Sequence, residues 1–277
     1  VRKSRSPVLI SRYTSSMNAG RTLIVLGCGT SVGVPMIGCD CPVCTSKNPK
    51  NQRTRSSVLL QLPTGNLLID TTPELRLQLV RERISLIHAV LYTHYHVDHL
   101  FGLDDARLFP RKLGGPLPIY CTDDTEVVIR QAFSYAFHPG NDELPAGMLP
   151  KLVFHRIATE PFEILGQRIV PIPLIHGRFR VLGFRIGNLA YCTDVSTIPE
   201  ASWPLLADLD LLIVDALRPG PAHPSHFNLE QALSVVERVR PRQTYLTHMS
   251  HEFDYETAPA TLPPHVTLAY DGLRIDF

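Results

Sequence analysis

From Arg21 onward, short apolar runs alternate with segments of helical spacing, and glycine, proline or a charged residue closes almost every run. Thr22-Leu-Ile-Val-Leu-Gly27 reads as a buried strand that stops at a glycine turn. Residues 58–62 and 66–70 flank Pro63-Thr-Gly65, a hairpin signature. Pro73 opens a helix through Arg83 that sets Leu75, Leu79 and Val80 on one face, with the proline early, where its missing N–H costs nothing. Further strands are expected near 88–92, 152–157, 167–175, 182–193, 209–214 and 244–248, and helices near 123–137 and 228–240. Residues 138–151, with Pro139, Gly140, Pro145, Gly147 and Pro150, form a loop suited to part of a substrate lid. Strands followed by a helix, twice over, with no internal repeat or low-complexity linker, indicate an α/β chain with a single domain over residues 21–277.

The strand at 88–92 runs directly into Thr93-His-Tyr-His-Val-Asp-His99, so His94, His96, Asp98 and His99 crowd one strand end. Imidazole and carboxylate together suit zinc, manganese or iron. Alternation turns His94 and His96 toward one ion and Asp98 with His99 toward a second. Three other apolar runs end in the same kind of group: Ile172-Pro-Leu-Ile-His176, Leu189-Ala-Tyr-Cys-Thr-Asp194 and Thr244-Tyr-Leu-Thr-His248. Singly, each is an ordinary strand terminus. Together they repeat one device, a strand that delivers a ligand to a shared sheet edge. With this H-x-H-x-D-H run and a downstream His, Asp and His, the chain resembles the metallo-β-lactamase superfamily over residues 22–277. The resemblance implies a four-layer αββα sandwich, one metal on His94, His96 and His176, another on Asp98, His99 and His248, and Asp194 bridging the two. It also implies that Asp70, at the end of a hairpin strand, orients the ligand loops, as outer carboxylates do for ligating histidines.

Cys39-Asp-Cys41-Pro-Val-Cys44 places three thiols too close together for independent disulfides, but well for three corners of a tetrahedral zinc site. His251, three residues after His248, is the candidate fourth ligand. Such a closed site would be structural and would pin the N-terminal loop to the C-terminal end. Cys28, Cys121 and Cys192 lie in apolar runs and read as core thiols. This thiol loop, Gly27-Cys-Gly-Thr-Ser-Val-Gly-Val-Pro35 and Leu246-Thr-His-Met-Ser-His-Glu-Phe-Asp254 look like the PhnP group, cyclic phosphodiesterases acting on phosphoribosyl 1,2-cyclic phosphate. The glycine turn has neither phosphate-loop spacing nor its lysine, so it is expected to pack backbone closely beside the metal site.

Composition adds boundaries. A 277-residue chain that is 44% hydrophobic can bury a large core, and a net charge of +1 gives no global field for nucleic acid or anionic membrane. No apolar stretch approaches the roughly 20 residues of a membrane span. Six cysteines, half of them in a metal-like cluster, suit a reducing, cytoplasmic setting. Residues 1–20 carry Arg2, Lys3, Arg5, Arg12 and five serines without an acid. They resemble a transit segment in composition, but read more simply as a disordered arm or an extended start upstream of Met17.

The resemblance to the PhnP group places a catalytic histidine outside the ligand set at His226, in preference to His223. Imidazole titrates near neutrality and can protonate a leaving alkoxide. Arg178 and Arg218 lie near ligand-bearing segments and are candidate phosphate contacts. The expected activity is hydrolysis of a small cyclic phosphodiester. Two divalent cations (Zn or Mn) would acidify water and clamp phosphoryl oxygens, beside one structural Zn. The expected partner is that small molecule, with neither membrane nor nucleic acid; a homodimer is compatible with the chain. The alternatives are a tRNase Z-type endonuclease, a thioesterase-like or lactam-type hydrolase, and a non-catalytic zinc-binding scaffold. Against the endonuclease, no basic glycine-rich arm is present, and Phe227-Asn228 follows His226 in place of that group's Glu-Ala-Thr run. Against the scaffold stands the complete set of seven candidate ligands.

Overall fold

A computed structural model describes residues 20–277, so the basic arm, apart from Gly20, lies outside the described residues. The strands are β1 (Thr22–Gly27), β2 (Ser57–Leu62), β3 (Gly65–Ile69), β4 (Ala89–Leu91), β5 (Leu117–Cys121), β6 (Leu152–Arg156) and β7 (Phe162–Ile164). They continue as β8 (Gln167–His176), β9 (Phe179–Ile186), β10 (Leu189–Cys192), β11 (Leu211–Asp215), β12 (Gln243–Thr247), β13 (Val266–Leu268) and β14 (Arg274–Asp276). One seven-stranded sheet has the order β14-β1-β2-β3-β4-β5-β6, the other β13-β12-β11-β10-β9-β8-β7. The helices are α1 (Leu75–Arg81), α2 (Val97–Leu100), α3 (Phe109–Leu113), α4 (Asp123–Ala132) and α5 (Leu229–Val239).

The alternation within β1 explains the layering. Leu23 and Val25 join the core shared by the two sheets, whereas Ile24 and Leu26 join a second core with Leu75, Leu79, Phe109 and Ile129 of the covering helices. A strand buried on both faces reads as an unbroken apolar run, as β1 does. On the far sheet, Ala232, Val235 and Val236 of α5 seal the outer layer, completing the αββα sandwich. The start of α5 is set locally. The Asn228 side chain accepts from Gln231 N–H, and the Gln231 side chain accepts from Asn228 N–H, a reciprocal cap.

Each sheet changes from antiparallel to parallel pairing. β3 through β6 are parallel in the first, and β10 through β13 in the second. Parallel strands gather their C-terminal ends on one edge, where α/β sheets hold ligands. Among the described residues, no helix is long and apolar enough to cross a membrane.

Several expectations shift. The strand expected over 182–193 is two, because Gly187, at φ 60°, turns the chain between β9 and β10. The helix expected over 123–137 ends at Ala132 and is followed by a 3-10 turn, Ser134–Phe137. The helix expected from Pro73 to Arg83 is shorter at both ends, and the short strands β7, β13 and β14 were not anticipated. Residues 138–141 and 149–151 line a separate cavity with Pro116 and Arg130, and none of them joins the clustered His and Asp groups.

Candidate active site

Six chain segments deliver polar side chains to the shared edge. Asp70 follows β3, the His94–His99 run follows β4, His176 ends β8, Asp194 lies two residues past β10, Asp215 ends β11 and His248 follows β12. Asp70, Asp194 and His248 take left-handed backbone, with φ of 66°, 52° and 57°. This turn folds each side chain back over the strand ends. Asp and His tolerate it better than most residues, at a strain of about 1–3 kcal/mol each. Sequence spacing carries no sign of this conformation.

The expected ligands gather into two donor sets, each with ligand-capable atoms within 4.8 Å of one another: His94, His96 and His176, and Asp98, His99, Asp194 and His248; His226 lies equally close to His176 with Asp194 and to Asp215 with His248. Asp194 joins the two sets. Its Oδ1 lies 3.2 Å from His99 Nε2, and its Oδ2 lies 3.4 Å from His248 Nε2, 3.8 Å from His176 Nε2 and 4.0 Å from His94 Nε2. Asp98 Oδ2 lies 3.3 Å and 3.6 Å from the Nε2 atoms of His99 and His248. Donors about 2.0–2.2 Å from a common ion would be spaced in this way. The Nε2 atoms of His94, His99 and His248 are buried and carry no hydrogen bond. Buried orphans of this kind are costly unless something fills the space between them, so the residues fit divalent cations.

On His99 and His176 the opposite nitrogen is fixed. His99 Nδ1–H donates to Asp70 Oδ2 (2.8 Å), and Asp70 also accepts from Thr93 N–H (2.9 Å) and Thr93 Oγ1–H (2.7 Å). His176 Nδ1–H donates to the Ser225 carbonyl (2.6 Å). The expected orienting role of Asp70 therefore has a physical form. Electrostatics follow from the packing. Burial opposes charge on His248, but Asp194, Asp98 and Asp215 outweigh it and push it up to about 9. His99 is raised likewise, while burial keeps His94, His96 and His176 low. Burial also opposes charge on Asp98 and Asp194, yet the histidines hold both well below the usual carboxylate range.

His226 is buried against this cluster, its ring 4.5 Å from those of His176 and His248. Its Nδ1–H donates to Asp215 Oδ2 (2.8 Å), and the same oxygen accepts from Val195 N–H (2.9 Å). Asp215 was missed in the sequence, although Leu211-Leu-Ile-Val-Asp215 repeats the device of an apolar run closed by a carboxylate. His223 is more exposed, and its Nδ1 accepts from Ser225 N–H (3.3 Å), which makes it a loop residue. Arg218 turns back on the carbonyls of Pro221 and Ala222. Arg178 lies 5.1 Å over the Phe179 ring, which itself sits 5.1 Å from His96.

The thiols also meet. Cys39, Cys41 and Cys44 Sγ lie 3.1, 3.4 and 3.5 Å from His251 Nδ1. The Cys44 backbone N–H brings the Cys41 thiol down to about 7, and burial pushes Cys44 up to about 11. The glycine turn packs alongside as expected. Thr30 N–H donates to the Met249 carbonyl (3.1 Å) and Met249 N–H to the Cys28 carbonyl (2.9 Å), and a Cβ on Gly29 would sit 2.6 Å from the Arg53 carbonyl.

Residues 65–249 match the model of the beta-lactamase superfamily domain. The chain belongs to that superfamily, and its fold and donor sets are those of a metal-dependent hydrolase. Within it the chain is PhnP-like. A solved structure described as a new diphosphatase from the PhnP family superposes with a TM-score of 0.86 at 43% identity, covering 93% of this chain and 98% of that one. Zn(2+)-bound PqqB from Methylobacterium extorquens shares the fold, with a TM-score of 0.73 at 20% identity, covering 92% and 100%. A Porphyromonas gingivalis protein named octanoyltransferase is 35% identical over 256 residues, 91% of this chain. The chain spans only 50% of that relative's length.

Proposed function

We propose that this chain is a two-metal phosphoric ester hydrolase of the PhnP type, acting in a reducing, cytoplasmic setting on a small phosphodiester such as phosphoribosyl 1,2-cyclic phosphate. The observation that carries the reading is the pair of donor sets joined by Asp194, with His226, held by Asp215, packed against His176 and His248. His94, His96 and His176 would hold one divalent ion (Zn or Mn), and Asp98, His99 and His248 the other, with Asp194 between. When bound, the ions acidify water and neutralise charge on phosphoryl oxygens. Cys39, Cys41, Cys44 and His251 would hold one structural Zn.

The residues' own work is positioning and proton transfer. Asp70 and the Ser225 carbonyl fix which nitrogens of His99 and His176 face the site. Asp215 holds His226 with Nδ1 protonated, leaving Nε2 for the leaving group. Water attacks phosphorus in line as the opposite P–O bond breaks. His226 gives its Nε2 proton to the departing oxygen and is recharged by the proton that the water loses. A cyclic diester opens to a monoester.

The reading is tested by a panel on zinc- and manganese-reconstituted protein: a cyclic phosphodiester, a diphosphate diester, a phosphomonoester, a thioester and a β-lactam. Turnover confined to the phosphoric esters supports it. Preference for the thioester would overturn it and transfer weight to the acyl chemistry in the P. gingivalis relative's name.

His226→Ala should leave catalytic metal content intact and slow an alkyl-ester substrate ~10²–10⁴-fold. An activated aryl ester needs little protonation of its leaving oxygen and should lose far less. Equal losses on both would reassign His226 to binding.

Metal loading should also release protons, because an imidazole must be neutral to ligate. With His248 raised from 6.5 to about 9, protons compete with the ion below that pH. Apparent affinity therefore rises with pH up to about 9 and then levels. In the metal-free protein the same charge stabilises the fold below 6.5, a contribution lost as pH rises through about 9. Zinc titration at pH ~7.5 in buffers of different ionisation heat measures the release; none would contradict the assignment.

A further inference from the structure

A cavity of about 570 Å³ opens beside the cluster and shares His94 and Tyr95 with the segment that carries it. Its floor is apolar, formed by the buried Leu174, Val181 and Leu182 between β8 and β9. Its rim is polar: Asp124 on the first turn of α4, Arg180 on β9, and the hydroxyls of Thr159 and Thr197. Asp124 and Arg180 are opposite in charge and line one cavity, yet neither has an ion pair or hydrogen bond among the described residues, and neither threonine hydroxyl has a hydrogen bond. Tyr95 lines the cavity, its ring 5.9 Å from the His96 ring and 6.3 Å from that of Phe179.

We infer that this cavity binds the base of a nucleoside-bearing phosphoric ester, with an amino-substituted heterocycle against Tyr95 and its amino edge toward Asp124. The inference rests on the phosphoric ester reading and narrows its substrate class. A volume of this size accommodates a nucleoside. Three features favour a base over an alkyl chain. The aromatic wall offers a stacking face. Asp124 accepts from an exocyclic amine, and Arg180 can stack on the ring or meet an anionic neighbour. An alkyl chain would desolvate Asp124, Arg180 and the threonines without replacing the water they lose. Since His94 belongs to both cavity and cluster, a base seated here would direct its phosphate toward the reacting centre.

The test uses the zinc-loaded full chain and titrates it calorimetrically with AMP and with ribose 5-phosphate, which differ by the base. AMP is expected to bind at least ~10-fold tighter, the scale of one base stacked on an aromatic ring. Thr197→Trp fills the cavity from an exposed wall and should erase the difference, and Asp124→Ala, an exposed change that removes the acceptor and leaves the core alone, should reduce it. Should Thr197→Trp misfold, Asp124→Ala still decides. Equal affinity of the wild type for the two ligands overturns the inference. So does octanoyl phosphate that binds tighter than AMP and is displaced by Thr197→Trp, which assigns the cavity to an acyl chain. If AMP is preferred but no phosphoric ester is hydrolysed, the cavity assignment stands and the activity reading falls. If phosphodiesters are hydrolysed with no preference for a base, the reverse holds.

Discussion

Asp194→Ala should abolish turnover on every phosphoric ester while most of the fold survives. The Asp194 carboxylate lies within reach of both donor sets, 3.2–3.4 Å from His99 and His248 Nε2 and 3.8–4.0 Å from those of His176 and His94. Removing an outer-shell partner of a metal ligand costs about 10–100-fold, so losing the bridge itself should exceed ~10³-fold. The fold tolerates the change because Asp194 sits at the sheet edge, past the end of β10, with the core strands untouched. Alanine at a φ of 52° is strained, so Asp194→Asn is the cleaner probe: it suits left-handed backbone and still accepts from Thr193 Oγ1–H. Kinetics with metal analysis on both variants measure the effect. Activity retained within ~10-fold would show that Asp194 is no bridge.

Cys41→Ser should act in the opposite way, lowering thermal stability and removing one zinc while the catalytic set stays competent. A serine hydroxyl is a poor replacement for a thiolate, and loss of a bound metal belongs among the few single changes that cost more than about 4 kcal/mol. At about 2–4 °C per kcal/mol for a domain near this size, Tm should fall by roughly 10 °C. Unfolding is not expected, because other contacts hold the same loop to the C-terminal segment. Arg53 donates to the carbonyls of Ser250 (3.1 Å) and Phe253 (2.8 Å), and Asn51 Oδ1 accepts from Tyr255 N–H (2.9 Å). Unchanged Tm and zinc content would remove the structural site from the account.

His176, Asp194 and His248 were legible because each closes an apolar run, and a strand that ends in a ligand leaves both marks in the sequence; the 94–99 ligands and the three thiols were legible from their spacing. Asp215 left the same marks, and the expected strand simply stopped one residue short of it. Other features leave no local trace. The left-handed turns at Asp70, Asp194 and His248 depend on where the chain goes next. The split between β9 and β10 hides in a nearly continuous apolar stretch with only Gly187-Asn188 to mark it. Strands as short as β13 and β14 exist through pairing with β12 and β1, distant in sequence or supplied by another element. The cavity beside His94 is assembled from segments as far apart as Asp124 and Thr197, so no window of sequence contains it.

The most direct measurement is metal content per chain, by mass spectrometry, during stepwise chelation of reconstituted protein, with anomalous diffraction to place the ions. Three metals are expected. Two should leave first, together with activity, because open catalytic sites exchange more readily than a closed thiolate site, and the third should leave only as the fold weakens. One metal or none after reconstitution with zinc and manganese, or activity that persists once the first two are gone, would contradict the two-metal centre.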